Sequence, residues 1–213
     1  MKIIKPSAEI IRPAQKPEAI KAIYENIELA GRTCYKSEDK ITEESARKFV
    51  KNLIKHGHEA MIEHASMTVR FTVDRGVSHE LVRHRIASFA QESTRYCDYS
   101  KGKFNHELTF ISPFFFEDNP VQWLDWAKTM RQAEESYFNL LEEGATPEQA
   151  RSVLPNSIKT EIIITANMRE WRNIFKLRAA GTTGKPHPQM TEVMVPLLKK
   201  CQELMPELFE DIE

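Results

Sequence analysis

The sequence predicts an α+β domain in which helix outweighs strand. Three observations lead there. Residues 41–59, "ITEESARKFVKNLIKHGHE", place Ala46, Phe49, Val50, Leu53 and Ile54 at the i, i+3, i+4, i+7, i+8 spacing of an amphipathic helix. Residues 65–73, "ASMTVRFTV", alternate instead, with Met67, Val69, Phe71 and Val73 on one face and Thr68, Arg70 and Thr72 on the other, as a half-buried strand does. No repeat, low-complexity tract or Gly/Ser- or Pro-rich linker divides the 213 residues, so 1–213 reads as a single domain with helices packed on a small sheet.

The remaining elements follow in order. "MKIIKPS" reads as a short strand. "KPEAIKAIYENIELAGRTCY" reads as a helix with Ala19, Ile20, Ile23, Ile27 and Ala30 on one face and Gly31 near its end. In the 41–59 helix, Thr42 is the expected cap, Glu43 and Glu44 fall in the first turn, and Gly57 suits the stop. "SHELVRHRIAS" reads as a helix capped by Ser78, and "ELTFIS" as a short strand. Asn119-Pro120 and Thr146-Pro147 are cap-plus-proline starts of two further helices, with Gly144 stopping the first and Pro155 ending the second. "KTEIIITANM" fits either a strand or a helix start. "EWRNIFKLRAAG" is helical, "TTGKPHP" a loop, and the tail from Gln189 helical within the limits set by Pro196 and Pro206.

Composition narrows the function classes. Net charge is −1, so a polyanion-binding surface over the whole protein is not expected, and any anion site is local. No apolar run reaches the length of a membrane span or a signal-peptide core. Cys34, Cys97 and Cys201 are scattered and odd in number, which argues against a disulfide framework and fits a reducing cytoplasm.

One stretch stands out. "RHRIASFAQESTRY", Arg83–Tyr96, gathers three arginines, a histidine, two serines, a glutamine and a glutamate in fourteen residues. Guanidinium is the side chain for bidentate phosphate contact. If Arg83 and Arg85 lie on a helix, as positions i and i+2 they fan apart and can serve different anions. A solvated helix end with surface ion pairs is the competing reading. Downstream, Arg151, Arg169 and Arg178, with Asn167 and Asn173, add further guanidiniums and amides able to meet phosphate and a heterocycle edge. His58 and His64, six apart, diverge by about 240° on a helix, so no metal site is expected from "HGHEAMIEH". Glu59, Glu63 and two of its histidines flank the apolar "AMI" as a pocket wall could. Neither GxGxxG, GxxxxGK[ST] nor GxSxG occurs. These residues indicate an arginine-lined anion pocket, in an enzyme or in a nucleotide- or RNA-binding module.

"RHRIASFAQES" is Arg-His-Arg, seven residues, then Ser, and here the chain resembles the flavin-dependent thymidylate synthases. "GRTCY", "KHGHEAMIEH", "EQARSVLP", "TANMREWRNIFKLR" and "HPQ" follow the resemblance in order from about residue 30 to about residue 190. It implies that fold and a reaction: reductive methylation of dUMP to dTMP, with 5,10-methylenetetrahydrofolate as carbon donor and NADPH reducing bound FAD, releasing tetrahydrofolate. It implies residue roles too. Arg83, His84 and Arg85 meet FAD, with Arg83 also reaching dUMP. Gln91, Glu92, Ser93, Thr94 and Arg95 form the dUMP loop, with Gln91 touching both ligands. Arg95 and Arg151 hold phosphate. Asn167, Arg169 and Asn173 sit at FAD, and His58, Glu63 and His187 on the flavin or folate side. Arg178 is the catalytic arginine, favouring ionisation of the uracil N3. The chain departs from the family pattern at Ala90, where Asn is usual, at Glu80, a pyrimidine-holding position often Gln, and in a longer loop before His187. The resemblance further implies a cytoplasmic homotetramer with shared active sites, no bound metal, no nucleic-acid partner and a cysteine-independent mechanism.

Overall fold

The computed structural model describes residues 1–213, except for the side chain of Lys103. Helices outnumber strands, as the sequence pattern requires. The chain forms two compact units, each made of three segments: Met1–Ser7, Phe71–Arg83 and Ala90–Ile162 in one, and Ala8–Arg70, His84–Phe89 and Ile163–Glu213 in the other.

In the first unit, β1 (Lys2–Ile4) pairs in parallel with β5 (Thr109–Ile111), matching Ile3 to Phe110. The long helix α4 (Pro120–Glu142) starts at Asn119, whose side chain accepts from Gln122 N, and stops before Gly144 at φ +93°. A capping box at Thr146 opens the short α5 (Pro147–Ala150). Tyr99, Leu108, Phe110, Met130, Tyr137 and Ile158 form the core of this unit.

In the second unit, α1 (Pro17–Tyr35) buries Ile20, Ile23, Tyr24 and Ile27. Gly31 lies inside this helix and not at its end: a Cβ there would come 2.5 Å from the Phe49 ring, so only glycine admits that side chain. Helix α2 (Ser45–Lys55) begins three residues later than its expected cap. The Ser45 hydroxyl closes a turn with Thr42, which leaves Glu43 and Glu44 before the helix. Helix α6 (Met168–Arg178) packs Trp171, Ile174 and Phe175 inward, and the Trp171 indole N–H donates to the Met67 carbonyl at 2.8 Å. Helix α7 (Pro188–Leu204) runs through Pro196 and gives way at Met205 to α8 (Pro206–Phe209).

A four-stranded sheet has the order β2 (Ser7–Arg12), β3 (Ser66–Asp74), β6 (Lys159–Asn167), β4 (Ala87–Gln91). The alternation in β3 is as expected, with Met67, Val69, Phe71 and Val73 all at 0% exposure. The ambiguous 159–167 segment is a strand, as its isoleucine run favours.

One expectation changes at the site. The helix read as "SHELVRHRIAS" is α3 (Arg75–Leu81), capped by Asp74, whose carboxylate accepts from Val77 N at 2.7 Å. Ser78 is buried inside it. Arg83, His84 and Arg85 therefore lie in the connection between α3 and β4, not on a helix, and the helical divergence of the two arginines does not apply. His84 turns inward at 5% exposure while both arginines face solvent.

Candidate active site

The second unit builds its polar site around the start of α6. Asn167, the last residue of β6, caps the helix by accepting from Glu170 N at 2.8 Å, so its amide N–H2 is what it can offer a ligand. Glu170 is buried, and its carboxylate accepts from Asn173 Nδ2 at 3.3 Å. His84 lies 3.3 Å from the same carboxylate through Nδ1, and Arg178 Nε donates to His84 Nε2 at 3.1 Å. Guanidinium has no acceptor, so His84 must carry its proton on Nδ1 and donate it to Glu170. Burial and then the neighbouring Arg178 charge push the His84 pKa below 6.5, against the pull of Glu170. The neutral imidazole thus orients the guanidinium.

Beside this chain of contacts lies a cavity of about 460 Å³, walled by Glu63, Ile86, Asn167, Arg169, Asn173 and Lys176. Arg169 Nη1 donates to Glu63 at 2.6 Å. Glu59, also on the wall, is held by Arg172 at 3.2 Å. Glu59 and Glu63 wall this cavity as the sequence reading expects, but the histidines of the same stretch do not line it. His58 is exposed, while His187 caps α7, its Nδ1 accepting from Gln189 N at 3.3 Å.

The first unit carries the other half of the predicted residues. Gln91 Nε2 donates to Ser78 Oγ at 2.9 Å and to Thr160 Oγ1 at 3.2 Å. Because the Ser78 hydroxyl donates to the Arg75 carbonyl at 3.0 Å, it accepts from Gln91, and that fixes which end of the amide points inward. The Glu92 carboxylate accepts from Lys159 Nζ at 2.7 Å and Tyr99 OH at 3.0 Å. Ser93 then turns the chain: its carbonyl accepts from Tyr96 N and Cys97 N. Thr94 is buried. Arg95 pairs with Glu148 at 3.0 Å, both half exposed, a contact weak enough to yield to a phosphate. Glu80 is half-buried on α3. Arg83 and Arg151 in this unit, and Arg85 in the second, are exposed, with no side-chain partner among the described residues of this chain.

Sequence reasoning missed Glu170, Lys176, Lys159 and Tyr99 as parts of these sites. Only Glu170 had a local signal, as the third residue after the Asn167 cap. Among the described residues, no three His, Cys, Asp or Glu side chains gather as a metal site, and no helix is long and apolar enough to cross a membrane.

The family described as thymidylate synthase complementing protein matches residues 19–207, a span that includes both groups of polar residues. The chain belongs to this family. Flavin-dependent thymidylate synthases are among its relatives. That of Thermococcus onnurineus is 32% identical over 171 residues, covering 79% of this chain and 68% of the relative. That of Corynebacterium aurimucosum is 32% identical over 225 residues, covering 95% and 83%. In fold, the chain is similar to the crystal structure of the UMP/dUMP methylase PolB from Streptomyces cacaoi bound with 5-Br dUMP. The TM-score is 0.78 over 99% of this chain and 96% of that one, at 24% identity.

Proposed function

We propose that the chain is a flavin-dependent thymidylate synthase, an enzyme that reductively methylates dUMP to dTMP. 5,10-Methylenetetrahydrofolate gives the carbon and NADPH the reducing equivalents, by way of bound FAD. The observation that carries the reading is the family match over residues 19–207, with relatives of that activity by name. The donor set beside α6 fits a flavin dinucleotide: Arg169, Lys176 and the Asn167 amide supply positive and N–H groups, the wall carboxylates Glu59 and Glu63 are already partnered by arginine, and Glu170 is held by His84 and Asn173. When bound, FAD supplies the hydride.

The chain's own groups do the rest. Arg95 and Arg151 take the dUMP phosphate. Gln91 keeps its carbonyl oxygen available, since its amide N–H2 is committed to Ser78 and Thr160. Arg178, aimed by neutral His84, stabilises negative charge on the pyrimidine. Exposed Arg83, Arg85 and Arg151, unpartnered among the described residues of their own chain, support a homotetramer in which neighbouring chains complete each site. The free thiols support a cytoplasmic setting.

Purified protein is expected to be yellow with non-covalent FAD, and light scattering should give about four chain masses. Colourless protein that takes up no flavin in a fluorescence titration sinks the reading. The cysteines are expected to be dispensable. Cys201 is buried, with its thiol pushed up to about 12, and Cys97 packs against the core of the first unit. Replacing each of Cys34, Cys97 and Cys201 by serine should leave turnover within several-fold. Loss of methyl transfer in one of them, with flavin and dUMP still bound, would establish a cysteine nucleophile.

A further inference from the structure

We infer that Glu92 is a positioning residue: with Lys159 and Tyr99 it clamps the Ser93–Arg95 turn and does not itself contact substrate. The inference rests on reading Gln91–Arg95 as the dUMP loop. A carboxylate has two oxygens and about four acceptor sites. On Glu92, Oε2 accepts from Lys159 Nζ at 2.7 Å and from Glu161 N at 3.2 Å, and Oε1 accepts from Tyr99 OH at 3.0 Å. The Glu92 side chain is 13% exposed and that of Lys159 16%, so little of either faces solvent. The main chain makes the same attachment, Glu92 N donating to Glu161 O at 2.8 Å. Three protein donors thus hold the carboxylate, and a substrate that placed an anion there would meet a charge already neutralised.

The far side of the clamp is rigid. The Tyr99 ring packs edge-on against Tyr137 and Phe104, in the core of the first unit. Burial and the Glu92 charge hold its phenol pKa well above the ordinary value, so it stays a donor. Burial also works against the Lys159 charge, but Glu92 and Glu161 outweigh it and keep the ammonium protonated. Immediately after the clamp the chain reverses at Ser93, and the next side chains are buried Thr94 and exposed Arg95. Where the Ser93 hydroxyl and Arg95 sit is set by the clamp.

The test is steady-state kinetics on the full-length, flavin-loaded enzyme with dUMP varied. Glu92→Gln and Lys159→Met are each expected to raise KM for dUMP about tenfold, the weight of one charge-assisted hydrogen bond, with kcat within about threefold. The flavin spectrum should not change. The double variant should be no worse than the worse single, since both act through one contact. Tyr99→Phe, which keeps the packed ring, should raise KM by about threefold to tenfold and carries the test alone if the other two fold poorly. Multiplying effects in the double variant, a fall in kcat at unchanged KM for Glu92→Gln, or a wild-type KM for Tyr99→Phe would each overturn the clamp. Wild-type protein that binds flavin and methylates dUMP keeps the functional reading intact in every one of those cases, and wild-type protein that does neither overturns that reading first.

Discussion

Arg178→Ala is expected to lower kcat for dUMP methylation by about a hundredfold to a thousandfold, the range for removing one fixed donor from a developing anion. Flavin should remain bound, since the cavity donors Arg169 and Asn167 are untouched. Arg178→Lys should recover little. His84 receives the Nε–H and sets the plane of the guanidinium, and an ammonium has neither a plane nor a second forked donor. Turnover near wild type in both variants would show Arg178 to be misassigned. The same contact predicts a pH effect. Arg178 can donate to His84 only while the imidazole is neutral, and the His84 pKa lies below 6.5 in the fold. Its protonation therefore cuts into turnover at a lower pH than that of an ordinary histidine would. Below pH 6.5 the unfolded chain binds the proton that the folded chain resists, so stability also falls as pH drops. Glu170→Gln removes the group that opposes this depression and should move the acid limb of kcat to still lower pH.

The largest expected stability effect is at Arg172, a residue with no assigned ligand. Its side chain is 2% exposed, forks onto Asp211 with two contacts of 2.7 Å, meets Glu59 at 3.2 Å and donates to the Leu208 carbonyl. Arg172→Met fills much of the volume but strands the Leu208 carbonyl, breaks the fork onto Asp211 and leaves Glu59 only the longer contacts of Arg169 and Lys176. Breaking a buried pair costs about 3–5 kcal/mol, and the partial exposure of Asp211 argues for the low end. For a chain of this length about 3 kcal/mol lowers the unfolding midpoint by roughly 6–12 °C. Thermal unfolding of Arg172→Met measures it, and a midpoint within a degree or two of wild type would refute it. Asp211→Asn should show a smaller deficit with a distinct pH signature. Arg172 holds the Asp211 carboxyl below its ordinary 3.8, so the wild-type advantage is present above pH 3.8 and fades as pH falls through the lowered value.

What the sequence disclosed and what it hid follow from the range of the interactions. Strand β3 was legible because its period of two is written in adjacent residues. Asn119 and Thr146 were legible as caps because a cap bonds within three residues. The start of α3 was misplaced by a similarly local competitor: Asp74 takes the capping role, which moves the helix toward the N-terminus and leaves Arg83–Arg85 outside it. Strand β2 went unread because "SAEIIR" is short and lies between Pro6 and Pro13. At the site, the residue types Arg, His and Gln were visible as an anion-binding set. Their partners were not. His84 meets Glu170 across 86 positions, Glu92 meets Lys159 across 67, and Arg172 meets Asp211 across 39. Only folding brings such pairs together.

The way the chain passes between its two compact units bears on its ancestry. Of five passages, four fall inside strands: Ser7 to Ala8 in β2, Arg70 to Phe71 in β3, Phe89 to Ala90 in β4 and Ile162 to Ile163 in β6. Only Arg83 to His84, at the start of the arginine-rich signature, lies in a loop. No continuous stretch of coding sequence therefore specifies either unit, and no single exon-like block could have carried one of them into a host protein. A protease nick at one bond frees neither. A shuffling experiment that swaps one contiguous segment with a relative would interrupt a strand or the signature at every unit boundary.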